Sequence, residues 1–336
     1  MKLSRRSFMK AAAVAGVAAA TGSMTACSDE VITLTYSEVN PETTIVGKIG
    51  AAFKEKLEEL SEGAVMVDAQ FSGVLGSETD VLDLMLGGDT SIDVARISAF
   101  ALTSYGVTKV NVLALPFVFE SREHFWNFAA SDVAADVKEE TAEIGLGVST
   151  LMFGEEGFRH FFSSWELNSM DDLVGQKIRV SNDTIMNGLV EAIGATPCVV
   201  DWSELYSGLD TGVCDGAEQP IVNYEANSFQ EVAPYLILDG HTLGAVQIII
   251  ADSAKAKLSD DQYAMVEAAA VYAGEMNAAV AEDDEAAVLA GLIADGYYVI
   301  DGVDKDALVT AVAGVVESNL ADANSQTVYD AIRALL

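Results

Sequence analysis

Three arginines stand in apolar surroundings: Arg96 after Val94 and Ala95, Arg159 with Phe158 and Phe161 close by, and Arg179 between Ile178 and Val180. A guanidinium in such a place is costly unless an anion meets it. The anion can be a ligand, because a planar guanidinium gives a carboxylate two parallel charge-assisted hydrogen bonds. It can equally be an internal acid, since the chain carries 52 acidic residues against 18 basic ones. Phe153 is a further candidate, for stacking against ligand carbons. Trp202 and Tyr206 stand at helical spacing and read first as core.

Enzymatic chemistry finds less support. Ser203 beside Glu204 has no histidine within a plausible motif, and no G-x-S-x-G elbow occurs. No G-x-G-x-x-G follows a strand, and no G-x-x-x-x-G-K-S/T occurs. His124, His160 and His241 are remote from one another in sequence, and no C-x-x-C spacing exists, so neither a metal nor a cofactor is expected.

The elements that must position these residues centre on 175–220. Gly175-Gln176-Lys177-Ile178-Arg179-Val180 reads as a short strand, Asn187 to Ile193 as helix, Cys198 to Val200 as strand, and Ser203 to Asp210 as helix. Gly212 stops that last helix. Strand alternating with helix indicates a parallel α/β sheet, in which ligands meet the carboxyl ends of strands. Arg179 and Gln219 would both lie there.

This stretch resembles the signature region of the solute-binding proteins of TRAP transporters (the DctP type). The family's G-x-K-I-R turn, G-A-x-P turn and W/F-S-E-x-Y helix match 175–179, 194–197 and 202–206. Its G-x-x-D-G-x-E-N-P strand matches 212–220, except that Gln219 replaces asparagine. With lower density the resemblance runs from about Thr33 to Gln262. It implies an α/β fold of periplasmic-binding-protein type, with two domains, a hinge, and a long helix spanning both. It also implies that Arg179 clamps a carboxylate, that Arg159 (in a G-x-R segment) and Gln219 contact ligand, and that Glu38 and Asn40 follow the first strand at ligand-facing positions. Arg96 lies near a wall position outside the shared motifs. The implied partners are an organic acid and TRAP membrane subunits. Other readings are a receptor for an ABC importer or a sensor kinase, or an exported cofactor-binding or hydrolytic enzyme.

Elsewhere the pattern alternates similarly. Ile32 to Tyr36, Ala64 to Phe71 and Ile92 to Arg96 read as strands, with helices from Ile45 and Ser77 between them. Gly145 to Phe153 and Ala245 to Ile250 read as strands, Tyr263 to Ala290 as one long helix, Gly296 to Val303 as a strand, and Lys305 to Leu336 as two helices. Expected boundaries are 1–26 for a signal peptide, 30–156 with 244–284 for one domain, and 157–243 with 285–336 for the other.

Ser4-Arg5-Arg6-Ser7-Phe8-Met9-Lys10 is a twin-arginine export motif, and Met24-Thr25-Ala26-Cys27 reads as a lipobox. Cleavage before Cys27 would leave a lipid on its sulfur as membrane tether. It would remove four bases and no acid, so the mature formal charge is −38, from 14 bases and 52 acids. Such a surface excludes nucleic acid as a partner and suits a soluble exported monomer. Cys198 and Cys214 lie among apolar residues and are expected as buried free thiols, with a disulfide as the alternative.

Overall fold

The computed structural model describes residues 31–181 and 183–336. The twin-arginine stretch and Cys27 lie outside them. The chain begins with β1 (Ile32–Ser37), α1 (Ile45–Leu60), β2 (Val65–Gln70), α2 (Glu78–Leu86) and β3 (Val94–Ser98). After α3 (Arg122–Ala129) and α4 (Asp132–Glu143) comes β4 (Val148–Ser163). Next are β5 (Lys177–Arg179), α5 (Thr184–Ala192), β6 (Thr196–Cys198), α6 (Leu205–Asp210), β7 (Gly216–Pro220) and α7 (Ile221–Ala226). The chain returns through β8 (Tyr235–Ala251), α8 (Asp252–Lys255) and α9 (Asp260–Ala294), and closes with β9 (Tyr298–Ile300), α10 (Lys305–Asn319) and α11 (Ala323–Arg333).

The strands order as β2-β1-β3-β8-β4-β7-β5-β6, with β9 also on β8. Parallel pairs at both ends, β1 with β2 and β3, and β5 with β6 and β7, mark two α/β lobes. The long strands β4 and β8 pair antiparallel and join them. In β8, residues 246–250 pair with β3, whereas residues 235–237 pair with β9. The β4–β8 register shifts between Glu155 and Phe158 and again between Arg159 and Phe161, where the pair passes from one lobe to the other. α9 packs on α1, β4, α7 and β9, so it runs along both lobes. Asn277 in its middle donates to the Glu155 carbonyl (2.9 Å) and accepts from the Glu155 N–H (2.8 Å).

Local chemistry explains the element starts. Thr44 caps α1 by accepting from Gly47 N–H, and Ser77 with Asp80 forms a reciprocal capping box at α2. Ser259 with Gln262 does the same at α9. The first lobe buries Leu34, Tyr36, Phe53 and Ile97, and the second buries Ile178, Leu189 and Phe162. Burying a side chain of this size contributes roughly 1.5–3 kcal/mol.

Three sequence expectations change. The strands expected at 145–153 and 245–250 are 16 and 17 residues long, because they continue through Glu155, Glu156, Arg159, Asp239 and His241. The strand expected at 198–200 is 196–198, paired in register with β5. Cys198 and Cys214 are not free thiols: they form a disulfide, with Cα atoms 6.2 Å apart. Only Cys214 is fully buried, and the turn before β7 brings it to the end of β6.

Candidate functional site

A cavity of about 400 Å³ opens between the lobes. On the first lobe its wall includes Asn40 after β1, Glu78 at the start of α2, and Arg96 of β3. On the second it includes Arg179 at the end of β5, Asp183 capping α5, Gln219 of β7 and Asn223 of α7. Glu156 and Arg159 reach it from β4. The parallel strands β5 and β7 therefore aim their carboxyl ends at the cavity, as an open α/β sheet does.

The three arginines are in different electrostatic states. Arg96 is buried, and its Nε donates to Glu38 Oε2 at 2.7 Å, its Nη2 to Glu38 Oε1, and its Nη1 to Glu78 Oε1 at 2.6 Å. Arg159 donates from Nε (2.5 Å) and Nη2 (2.9 Å) to the Glu218 carboxylate and from Nη1 to Glu156. Burial alone would make both groups shed their protons more readily. The adjacent carboxylates more than reverse this, and both are held firmly charged. Arg179 differs. Among the described residues it has no carboxylate within ion-pair distance, and its one hydrogen bond runs from Nε to the Val200 carbonyl (3.0 Å). Its guanidinium carbon lies 5.9 Å from the Trp202 ring centre, within cation–π range. Burial without a close counter-ion lowers its pKa to about 10, with Glu218 opposing, so it remains a cation at neutral pH.

Behind the cavity the charges continue into the joining strands. His241 Nδ1 lies 2.6 Å from Asp239 Oδ2, and its Nε2 is 3.4 Å from Glu218 Oε2, a charge contact not aligned as a hydrogen bond. Burial favours neutral imidazole, but the Asp239 carboxylate outweighs it and raises the pKa to about 9. Burial would raise the pKa of Glu218; Arg159 and His241 instead hold it well below the usual carboxylate range. His160, whose Nδ1 accepts the Gly240 N–H at 3.0 Å, is driven by burial to about 4 and is neutral.

The structure thus gathers Arg179, Arg159, Arg96, Gln219 and Asn40 around one cavity and leaves two sequence candidates off its wall. Glu38 is fully buried behind Arg96. Phe153 is buried against Phe128, with ring centres 5.6 Å apart. Trp202 packs on the core of the second lobe, with its ring centre 5.7 Å from that of buried Phe229, and also lines the cavity, whereas Tyr206 is exposed and not core. The Gln219 amide makes no hydrogen bond among the described residues. Sequence reasoning missed Asp183 and Asn223. Each lies four residues after a motif residue, Arg179 or Gln219, where the chain enters the next helix. That spacing is the signal that could have found them.

Comparison with known proteins agrees with this geometry. Residues 36–322 match the family described as bacterial extracellular solute-binding protein, family 7. Residues 2–22 match the twin-arginine translocation pathway signal sequence, which marks the chain for export. An uncharacterized protein, y4mM of Sinorhizobium fredii, is 30% identical over 322 residues, covering 94% of this chain. This chain spans only 58% of that relative's length. The 2,3-diketo-L-gulonate-binding periplasmic protein YiaO of Escherichia coli is 26% identical, over 94% of this chain and 93% of its own. A TRAP periplasmic solute binding protein of a Sulfitobacter species, solved with bound β-D-galacturonate, superposes with a TM-score of 0.83. It is 26% identical, with 90% of this chain and 99% of that one covered. The family and the solved Sulfitobacter protein are solute-binding receptors and not enzymes, and their fold is the two-domain periplasmic-binding type. From its sequence match and its fold together, the chain belongs to family 7 of the bacterial extracellular solute-binding proteins.

Proposed function

We propose that this protein is an extracytoplasmic receptor that clamps an organic acid through Arg179 and delivers it to a TRAP-type secondary transporter. One observation carries the reading: of the three buried arginines at the cavity, Arg179 alone lacks a carboxylate partner among the described residues. A buried guanidinium without an anion is an energetic deficit that a ligand carboxylate removes. The fork geometry suits a carboxylate, with the Gln219 amide and Asn40 available as neutral contacts. Arg96 and Arg159, already neutralised, form wall and frame. Glu38 supports that wall from behind Arg96.

The two lobes follow domains 30–156 with 244–284 and 157–243 with 285–336 except at the C-terminus: α10 packs on α5 of the second lobe, but α11 packs on α4 of the first, where His124 Nε2 of α3 lies 2.8 Å from the Ile332 carbonyl. The divisions at 156/157 and 243/244 fall within β4 and β8, and the first coincides with a register shift, which suits a hinge. Cys27, as a lipidated N-terminus, would tether the receptor beside its membrane subunits. Serine at position 27 should release the processed protein from membranes, and continued retention would count against a lipid. Ligand class is tested by thermal shift. Galacturonate should raise the melting temperature where galactose, lacking the carboxylate, does not. Equal shifts by the two sugars would remove the carboxylate from the account.

A further inference from the structure

Residues of the cavity wall also carry buried oxygen atoms that lack donors among the described residues. Asp183 is almost fully buried, and its Oδ1 is fixed by the Ile185 and Met186 N–H groups, both at 2.9 Å. Its Oδ2 is buried with no partner among the described residues. Asn40 Nδ2 donates to Glu38 Oε1 (3.2 Å) and Asn223 Nδ2 to Glu156 Oε2 (3.0 Å). An ionised carboxylate accepts only, so these contacts fix each amide with its nitrogen toward the acid. The amide oxygens, Asn40 Oδ1 and Asn223 Oδ1, are then left buried without donors. Three acceptors from three elements thus belong to residues of one cavity. Buried acceptors are unfavourable until a donor reaches them.

Resting on the reading of Arg179 as the carboxylate clamp, we propose that Asp183 is a specificity-determining residue. With Asn40 and Asn223 it reads ligand hydroxyl groups, so the ligand is a polyhydroxylated monocarboxylate and a second carboxylate is rejected. A hydroxyl can donate to each of these oxygens. A second carboxylate has no proton to give, and the other two arginines are already engaged by carboxylates. Glu218 of β7 acts on Asp183 with like charge and Arg159 of β4 with opposite charge, and Glu156 of β4 and Arg179 of β5 line the same cavity. Across the cavity stand Glu78 and Asp80 of α2 and Arg96 of β3, with Asp201 beyond β6. Burial, reinforced by Glu218, raises the Asp183 pKa to about 7. Rejection of a second carboxylate is therefore strongest above neutral pH and relaxes when Asp183 gains a proton and can donate.

Asp183→Asn isolates this role. Asparagine keeps the α5 cap, because its Oδ1 still accepts the two N–H groups, but places an amide donor where Oδ2 was. Affinities for galacturonate, gluconate and fumarate (a dianion throughout the range) are measured by calorimetry at about pH 8 and about pH 6. In wild type the better sugar acid should bind at least about a hundredfold tighter than fumarate at the higher pH, with the gap narrowing at the lower. In Asp183→Asn the gap should shrink by about tenfold or more and lose its pH dependence. Fumarate binding wild type as tightly as either sugar acid would overturn the inference. So would an Asp183→Asn protein that keeps the wild-type ratio at both values. Arg179→Ala distinguishes the two levels: if it leaves binding of every acid intact, the clamp itself is wrong, whereas its loss of all acids with selectivity unmoved by Asp183→Asn defeats this inference alone.

Discussion

At the residue scale, titration of two buried groups, His241 and Asp183, pulls stability down with rising pH. His241 is raised from 6.5 to about 9 on folding, so its contribution is complete below the unfolded value and lost as pH rises through about 9. Asp183 is raised from 3.8 to about 7, so its protonated form favours the fold at low pH and that advantage is lost on passing about 7. The melting temperature should therefore decline through the upper range, and His241→Asn should flatten that decline. In the lower range His160, lowered from 6.5 to about 4, pulls the opposite way, so the Asp183 contribution is read as the difference in slope between wild type and Asp183→Asn, with the variant gaining relative stability as pH rises toward about 7. His241→Asn also leaves Asp239 and Glu218 without their shared cation, at a cost of roughly 3–5 kcal/mol. Chemical denaturation across pH checks this, and unchanged slopes in both variants would contradict the assigned protonation states. Sequence alone separates these residues poorly. Arg96, Arg159 and Arg179 have similar neighbours, and only folding shows that Glu38, Glu78, Glu156 and Glu218 engage the first two.

At the element scale, most helices and parallel strands were legible, because capping residues and alternating apolar positions mark them. Ser77 with Asp80, for example, announces α2 four residues before Val81, the first buried residue of that helix. The joining strands β4 and β8 were legible over little more than a third of their length, 148–153 and 245–250. Glu155, Glu156, Arg159 and His160 interrupt the apolar pattern of β4, and Asp239 and His241 interrupt that of β8. These polar groups are tolerated in buried strands because they satisfy one another, which a local pattern cannot reveal. The cysteines misled for a related reason: apolar neighbours say that a sulfur is buried, not what lies across the fold. The Cys198–Cys214 bond closes a span of 16 residues around α6, next to Val200 and Trp202 at the cavity. A loop of this size implies about 3 kcal/mol from the lost freedom of the unfolded chain. Reduction, or Cys198→Ser with Cys214→Ser, should lower the melting temperature accordingly. A melting curve indifferent to reductant would show that the bond does not form in the exported protein.

At the scale of the whole molecule, two α/β lobes are joined by two long strands, the helix α9 and the passage from α10 on the second lobe to α11 on the first, with the guanidinium of Arg179 on the cavity between them. A ligand that bridges Arg179 on one lobe and Asn40 on the other favours the closed arrangement by its differential contacts. Small-angle scattering should give a smaller radius of gyration with saturating ligand than without, and an identical profile would argue for a rigid receptor. The fold was readable through the family resemblance that four ordered motifs in 175–220 carry. The hydroxyl-reading oxygens were not, since they become visible only when amide orientations are fixed by buried carboxylates. Calorimetric titration of Arg179→Ala with an acid that stabilises the wild type is the most direct test. Removing one partner of a buried charge pair costs roughly 3–5 kcal/mol. At about 1.4 kcal/mol per tenfold, binding should weaken at least about a hundredfold. Arg179→Lys should also bind poorly, because the two-pronged geometry is lost while the charge remains. The ligand-free fold should persist, since Arg179 supports no internal ion pair among the described residues. Binding within about threefold of wild type, under about 0.7 kcal/mol, would contradict the clamp.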